Sequence, residues 1–211
     1  MAGQDTAAMS SWRPSRFRNP ATWYLLLGVG LLGTSLWVPW FTAERTARIE
    51  RRADAIAEGL IEAAHDFGTI AAPDPDVLHA RFIRLGLRDG LHLVDLEIRD
   101  PPLPGTVLTL ENKHYAFHLA ASPVAANVLV GRGTVPAFEA MAWPLSNTGP
   151  GHCAFFHPDD APRAYSRNLA ASYRGLGDRR PIPGRSHRRP HGLLEITSYY
   201  RGFDDERWIL F

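Results

Sequence analysis

The run from Trp23 to Phe41, WYLLLGVGLLGTSLWVPWF, contains no Asp, Glu, Lys, Arg or His. A helix rises about 1.5 Å per residue, so a run of this length just crosses the roughly 30 Å of bilayer hydrocarbon. Trp23 and Tyr24 stand at one end, and Trp37, Pro39, Trp40 and Phe41 at the other. Amphipathic rings at both ends suit the two headgroup interfaces. Gly28, Gly30 and Gly33 cost helix propensity in water but are common in membrane helices. A buried core helix and a cleaved signal peptide are the alternatives. A signal peptide has a shorter apolar region and small residues at its exit. The bulky exit Trp37-Val38-Pro39-Trp40-Phe41 predicts a retained single-span anchor instead.

The sequence after the span keeps helical periodicity but becomes amphipathic. Ile49, Ala53, Ile56, Leu60, Ala63 and Phe67 recur at spacings of three and four, an apolar stripe on one face. Glu44 and Arg48 form a favourable i,i+4 pair, and Gly68 supplies a stop. Asn19-Pro20 reads as a cap followed by a first helical residue. One helix is therefore expected from Pro20 to Phe67, about 70 Å long, with Pro39 able to kink it. The stripe needs a partner surface, and the domain that follows is the expected one. The predicted organisation is a disordered basic tail over 1–19, a transmembrane helix over 20–41, its amphipathic continuation over 42–67, and an α+β domain with an antiparallel sheet over 68–211.

Asp74-Pro75 marks a second, short amphipathic helix carrying Val77, Leu78, Phe82 and Leu85 and ending near Gly86. The period then changes to two. Leu91, Leu93, Val94, Leu96 and Ile98 predict a strand with a bulge. Thr106 to Leu110 and Tyr115 to Ala120 flank Glu111-Asn112-Lys113-His114 as a hairpin. Val128 to Val130 suggests a short piece, Phe138 to Trp143 a strand or short helix, and Cys153 to Phe156 a compact apolar strand. The segment from Arg174 to His191 is rich in Arg, Gly and Pro and is expected to be a solvated loop. Leu193 to Tyr199 and Arg207 to Phe211 close the sheet.

A membrane helix that turns amphipathic without a break, followed by a small antiparallel sheet, resembles the type IV pilins and the pseudopilins of type II secretion. The local match is Trp37-Val38-Pro39-Trp40-Phe41 followed by Ala43-Glu44-Arg45-Thr46-Ala47-Arg48. The resemblance covers Thr22 to Phe67, and the sheet domain agrees in class. It implies a non-catalytic component of an envelope assembly that meets its partners, or its own copies, through the N-terminal helix. Two positions depart from the family. No Gly lies between Gln4 and Tyr24, where the family is processed, and Thr22 occupies the place of the family's helix glutamate. An uncleaved tail is therefore expected.

Net charge is +1 over 211 residues, so no whole-protein field draws the chain to nucleic acid. Cys153 is the single cysteine, which excludes an internal disulfide and a CxxC metal framework. The densest polar cluster is His152, Cys153, His157, Asp159 and Asp160. A thiol nucleophile or a metal site is conceivable there, but neighbours on a strand face opposite sides, and the spacing fits no common zinc pattern. His92, His114 and His118 read as partly exposed sheet histidines. No phosphate-binding Gly loop, HExxH or GxSxG occurs. Neither a metal nor a cofactor is expected. Arg179, Arg180, Arg185, Arg188 and Arg189, with His187 and His191, form a local basic patch that could hold phosphate or anionic lipid headgroups. No aromatic residue interleaves with them, which disfavours stacked nucleic acid.

These features predict a non-catalytic single-span membrane protein, pilin-like or pseudopilin-like. The alternatives are a membrane-tethered extracytoplasmic binding or sensing domain and an envelope hydrolase using Cys153. Arg13, Arg16 and Arg18 precede the span while Arg45, Arg48, Arg51 and Arg52 follow it, so flanking charge does not set the topology. A short tail is easily held inside, and long domains cross largely regardless of charge. The expected arrangement is a cytoplasmic N-terminus and an extracytoplasmic sheet domain.

Overall fold

The computed structural model describes residues 20–65, 74–91, 93–122, 137–159, 161–189 and 198–211. Helix α1 runs from Pro20 to His65, straight through the sequence position of Pro39. The expected helix end at Phe67 and Gly68 lies outside the described residues, as do the tail over 1–19, His92, Val128 to Val130, Asp160, His191 and the first part of the predicted strand at 193–199.

The chain divides into two compact units, Met1–Ala43 and Glu44–Phe211. In the first, the described residues are helix. Trp23, Tyr24, Trp37, Trp40 and Phe41 are all exposed, along with Leu25, Leu27, Val29, Leu31 and Leu32. This part of α1 is long and apolar enough to cross a membrane, and none of its most apolar window is buried within the protein.

The second unit is α+β. Its eight strands are β1 (Glu97–Ile98), β2 (Leu108–Glu111), β3 (Tyr115–Ala121), β4 (Phe138–Pro144), β5 (Ala154–Pro158), β6 (Ala164–Ser166), β7 (Tyr199–Arg201) and β8 (Arg207–Leu210). They form one sheet in the order β1-β2-β3-β4-β5-β6-β8-β7, with every neighbouring pair antiparallel. Strand parity sorts the side chains onto two faces. Leu108, Leu110, Tyr115, Phe117, Leu119, Phe138, Ala140, Ala142 and Phe155 share one apolar cluster with Ala53, Ile56, Leu60 and Ala63 of α1, and Ile49 packs half-buried against it. Helix α2 (Pro75–Arg88) adds Leu78 and Phe82 to the same cluster. Asp74 caps α2, its Oδ1 accepting from Asp76 N at 3.0 Å.

The opposite face carries Ala116, Met141, Trp143, Ala154, Phe156, Ala164 and Trp208. No helix covers it among the described residues. Its roof is the irregular segment after β6, with Leu103 from the turn before β2. Tyr173, Pro181, Gly184, Ser186 and His187 of that segment are buried. The expectation of a solvated loop is thus corrected. The backbone is irregular, but several of its side chains turn inward, because the far face would otherwise leave Trp143 and Phe156 in water.

Other expectations change as well. Leu93 to Leu96 form a turn rather than a strand, closed by Leu96 N donating to Leu93 O at 3.0 Å. Only Glu97 and Ile98 pair with β2. Leu93 packs on Gly86 of α2, where a Cβ would come within 2.5 Å of its Cδ1, and Val94 is fully exposed. The apolar alternation comes from tucking Leu91, Leu93 and Leu96 against the apolar cluster, not from pleating. Val77, expected on the buried face of α2, is likewise exposed. Phe138–Pro144 is a strand, which settles that alternative. Strand β6 has no counterpart among the sequence-based expectations; its three residues are too few for a periodic signal.

Candidate functional site

Three polar clusters stand out in the fold. The first is a seam along α1. Glu50, Asp54 and Glu58 recur every four residues and so lie along one line of the helix. Glu50 Oε1 accepts from the backbone N of His152 (2.9 Å) and Cys153 (3.2 Å). Asp54 Oδ1 lies 2.8 Å from His157 Nε2, and Glu58 Oε2 accepts from Arg163 Nη1 at 3.0 Å. His65 Nδ1 and Asp159 Oδ1 extend the line at 2.8 Å. On the other flank, the Arg52 guanidinium pairs with Asp95 and holds that carboxyl below its ordinary value.

This seam accounts for the dense cluster His152, Cys153, His157 and Asp159. These groups do not converge on one point: His152 and Cys153 share Glu50, His157 meets Asp54 and Asp159 meets His65, so they fasten β5 and its flanks to three separate turns of α1. Burial, reinforced by Glu50, pushes the Cys153 thiol up to about 12. Thiolate is the nucleophilic form, so at neutral pH this sulfur is a poor nucleophile. Among the described residues no group of three or more His, Cys, Asp or Glu is arranged to hold a metal ion.

The second cluster lies under the roof of the far face. Glu139, the one charged residue of β4, is almost fully buried. Its Oε1 accepts from Gly184 N at 2.7 Å, and its Oε2 lies 2.7 Å from His187 Nε2. Ser122 Oγ sits 3.1 Å from that same Nε2. Serine, histidine and glutamate within reach of one another resemble a hydrolytic relay in composition. A relay needs the hydroxyl on one imidazole nitrogen and the carboxylate on the other. Here both meet Nε2, so the proton that the carboxylate engages blocks that nitrogen from acting as base toward the serine. The group clamps the roof to the sheet. Two further acids, the buried Glu206 and the half-buried Asp204, have similar roles. Glu206 takes the Ser166 hydroxyl and the backbone N of Leu169, Ala170 and Ala171. Asp204 takes the Tyr173 and Ser186 hydroxyls and the Trp208 indole N–H, and burial raises its carboxyl above the ordinary value.

His118 stands apart. It lies on the far face of β3 between Thr109 and Met141 of the adjoining strands, with its ring centroid 5.3 Å from that of Trp143. It is fully buried, and neither ring nitrogen has a hydrogen-bond partner among the described residues. Burial lowers it to about 4, so the ring is neutral at physiological pH. The expectation of partial exposure is corrected; the far face of β3 is roofed. His114, in the hairpin turn, is half-buried and also lowered by burial.

The third cluster is the basic patch, which the fold divides. Arg189 pairs with Asp205 at 2.6 Å, and the backbone of Arg188 bridges to Gly202. Arg179, Arg180 and Arg185 instead line one hollow of about 220 Å³, together with Tyr173, Asp178, Ile182 and Asp204.

Glu139, Asp204 and Glu206 were not among the residues singled out from the sequence; His187 was, but as a member of the basic patch, whereas it is buried against Glu139. One signal was available for Glu139: a single carboxylate inside the apolar run Phe138 to Trp143 has to find a buried partner. Asp204-Asp205-Glu206 reads as a turn, and nothing local tells the inward-turned Asp204 and Glu206 from the exposed Asp205. No protein-family model, no curated protein and no solved structure matches this chain.

Proposed function

We propose that the chain is a non-catalytic, single-span membrane protein with its N-terminus in the cytoplasm and its sheet domain outside, acting as a pilin-like or pseudopilin-like component of an envelope assembly. The observation that carries this reading is α1 itself. One helix has an exposed, uncharged apolar first part, and its later turns bury Ala53, Ile56, Leu60 and Ala63 in a core shared with an antiparallel sheet. The apolar part matches bilayer thickness, and helices in lipid associate through close packing. Partners, or further copies of the chain, would meet it there. The triad-like cluster lacks relay geometry and the cysteine is held as a thiol, which supports a role without turnover.

A second reading, a membrane-tethered binding or sensing domain, is favoured by the arginine-lined hollow. Cross-linking separates the two. In a Cys153→Ala background, Leu27→Cys and Leu31→Cys would be oxidised in native membranes. A disulfide-linked dimer at either position supports assembly through the helix, since one thiol per chain can bridge only two copies. Monomer at every position removes the assembly reading and leaves the tethered domain.

A further inference from the structure

We propose that the hollow lined by Arg179, Arg180 and Arg185 binds a phosphate ester whose alcohol carries free hydroxyl groups, the chemistry shared by dissolved glycerol phosphate and a phosphatidylglycerol headgroup. This goes beyond the assembly reading and does not depend on it.

The three arginines reach the hollow from two pinned turns. Arg180 N donates to Gly177 O (3.1 Å) and Arg174 N to Arg179 O (3.1 Å), which closes the first. Arg185 N donates to Ile182 O (3.1 Å), and Asp204 N to Arg185 O (3.0 Å), which closes the second and ties it to the sheet. Gly184, at φ +83, continues that turn and donates its N–H to buried Glu139 at 2.7 Å. The backbone under the guanidinium groups is therefore fixed before any ligand arrives, so little ordering is left to offset binding.

Charge selects the ligand. Arg179 and Arg185 are exposed and make no ion pair among the described residues; Arg180 donates one bond to Gly177 O at 3.3 Å. Arginine forks match phosphate oxygens in pairs. Two acids also line the hollow. Asp204 is already occupied by Tyr173, Ser186 and Trp208. Asp178 is exposed and makes no ion pair among the described residues, and it can accept from a ligand hydroxyl. A bare anion would meet Asp178 as a repulsion, whereas a hydroxylated phosphate ester satisfies both signs. At about 220 Å³ the hollow is smaller than pockets for drug-sized ligands and fits one headgroup.

The test uses the full chain in a phosphate-free detergent, with glycerol 3-phosphate as probe and ³¹P line broadening as readout. Broadening that is at least about tenfold weaker in R179Q/R185Q, and unchanged in R207Q, is expected, since removing one charge-assisted hydrogen bond weakens binding by such a factor. Both substituted arginines are exposed, so matching circular dichroism will certify the fold. No broadening in the native protein, or equal broadening in R179Q/R185Q, overturns the proposal. Phenylglyoxal footprinting then assigns the source. Protection of Arg179 and Arg185 by dissolved glycerol phosphate supports a soluble ester. Protection in phosphatidylglycerol but not phosphatidylcholine liposomes supports a lipid headgroup. Protection by neither overturns it.

Discussion

At the scale of the residue, His118 carries the sharpest consequence. A neutral imidazole with two unpaired nitrogens gains nothing from the interior, and charging it there costs more. The unfolded value is 6.5 and the folded value about 4. A lowered folded value means that the unfolded chain binds the proton first, so stability is full above about pH 6.5 and falls as pH drops toward 4. At about 1.4 kcal/mol per unit, the loss from this group is roughly 3 kcal/mol. Asp204 works in the opposite sense, because burial raises it and folding then favours its protonated form. His118→Phe removes the titration and keeps a ring against Trp143. Melting curves from pH 7 to 4 should flatten in this variant relative to the native protein, and its melting temperature at pH 7 should rise. Parallel curves would show that His118 does not titrate in this range.

At the scale of the element, the later turns of α1 do the most. They bring Ala53, Ile56, Leu60 and Ala63 to one apolar cluster while Glu50, Asp54 and Glu58 meet β5 and Arg163 along the adjoining line. The apolar packing supplies most of the stabilisation, since half-exposed ion pairs contribute little. Leu60→Ala should cost about 2–5 kcal/mol, a large part of a domain's total. Thermal unfolding of the full chain in detergent should show the sheet melting many degrees lower. An unchanged melt would mean that this part of α1 is not bound to the sheet in solution.

At the scale of the whole molecule, the uncharged run carries the proposed membrane location. The intact chain should sediment with membranes and resist carbonate at high pH; recovery in the supernatant would remove the anchor. A phosphatase fused after Phe211 should be active if the sheet domain lies outside. Activity of a cytoplasmic fluorescent reporter there, without phosphatase activity, would reverse the orientation and put the arginine hollow on the cytoplasmic side.

What could be read from the sequence was whatever rests on neighbours along the chain. The long apolar helix, the stripe on α1, the Asp74-Pro75 start of α2 and the hairpin around Asn112 each follow from spacing or from one turn residue. Asn112 Oδ1 accepts from the N–H of His114 and Tyr115 at 2.8 Å, a local bond that any antiparallel partner would keep. The tertiary structure alone decided the rest. The arginine-rich segment lies on the far face of the sheet because Gly184 and His187 reach Glu139, 45 and 48 residues away. His118 is buried for the same reason: its own strand alternates correctly, and the roof over it comes from a distant part of the chain. Alternation says which side chains share a face, but not whether that face meets water. That depends on contacts between residues remote in sequence, whose pairing no local periodicity encodes.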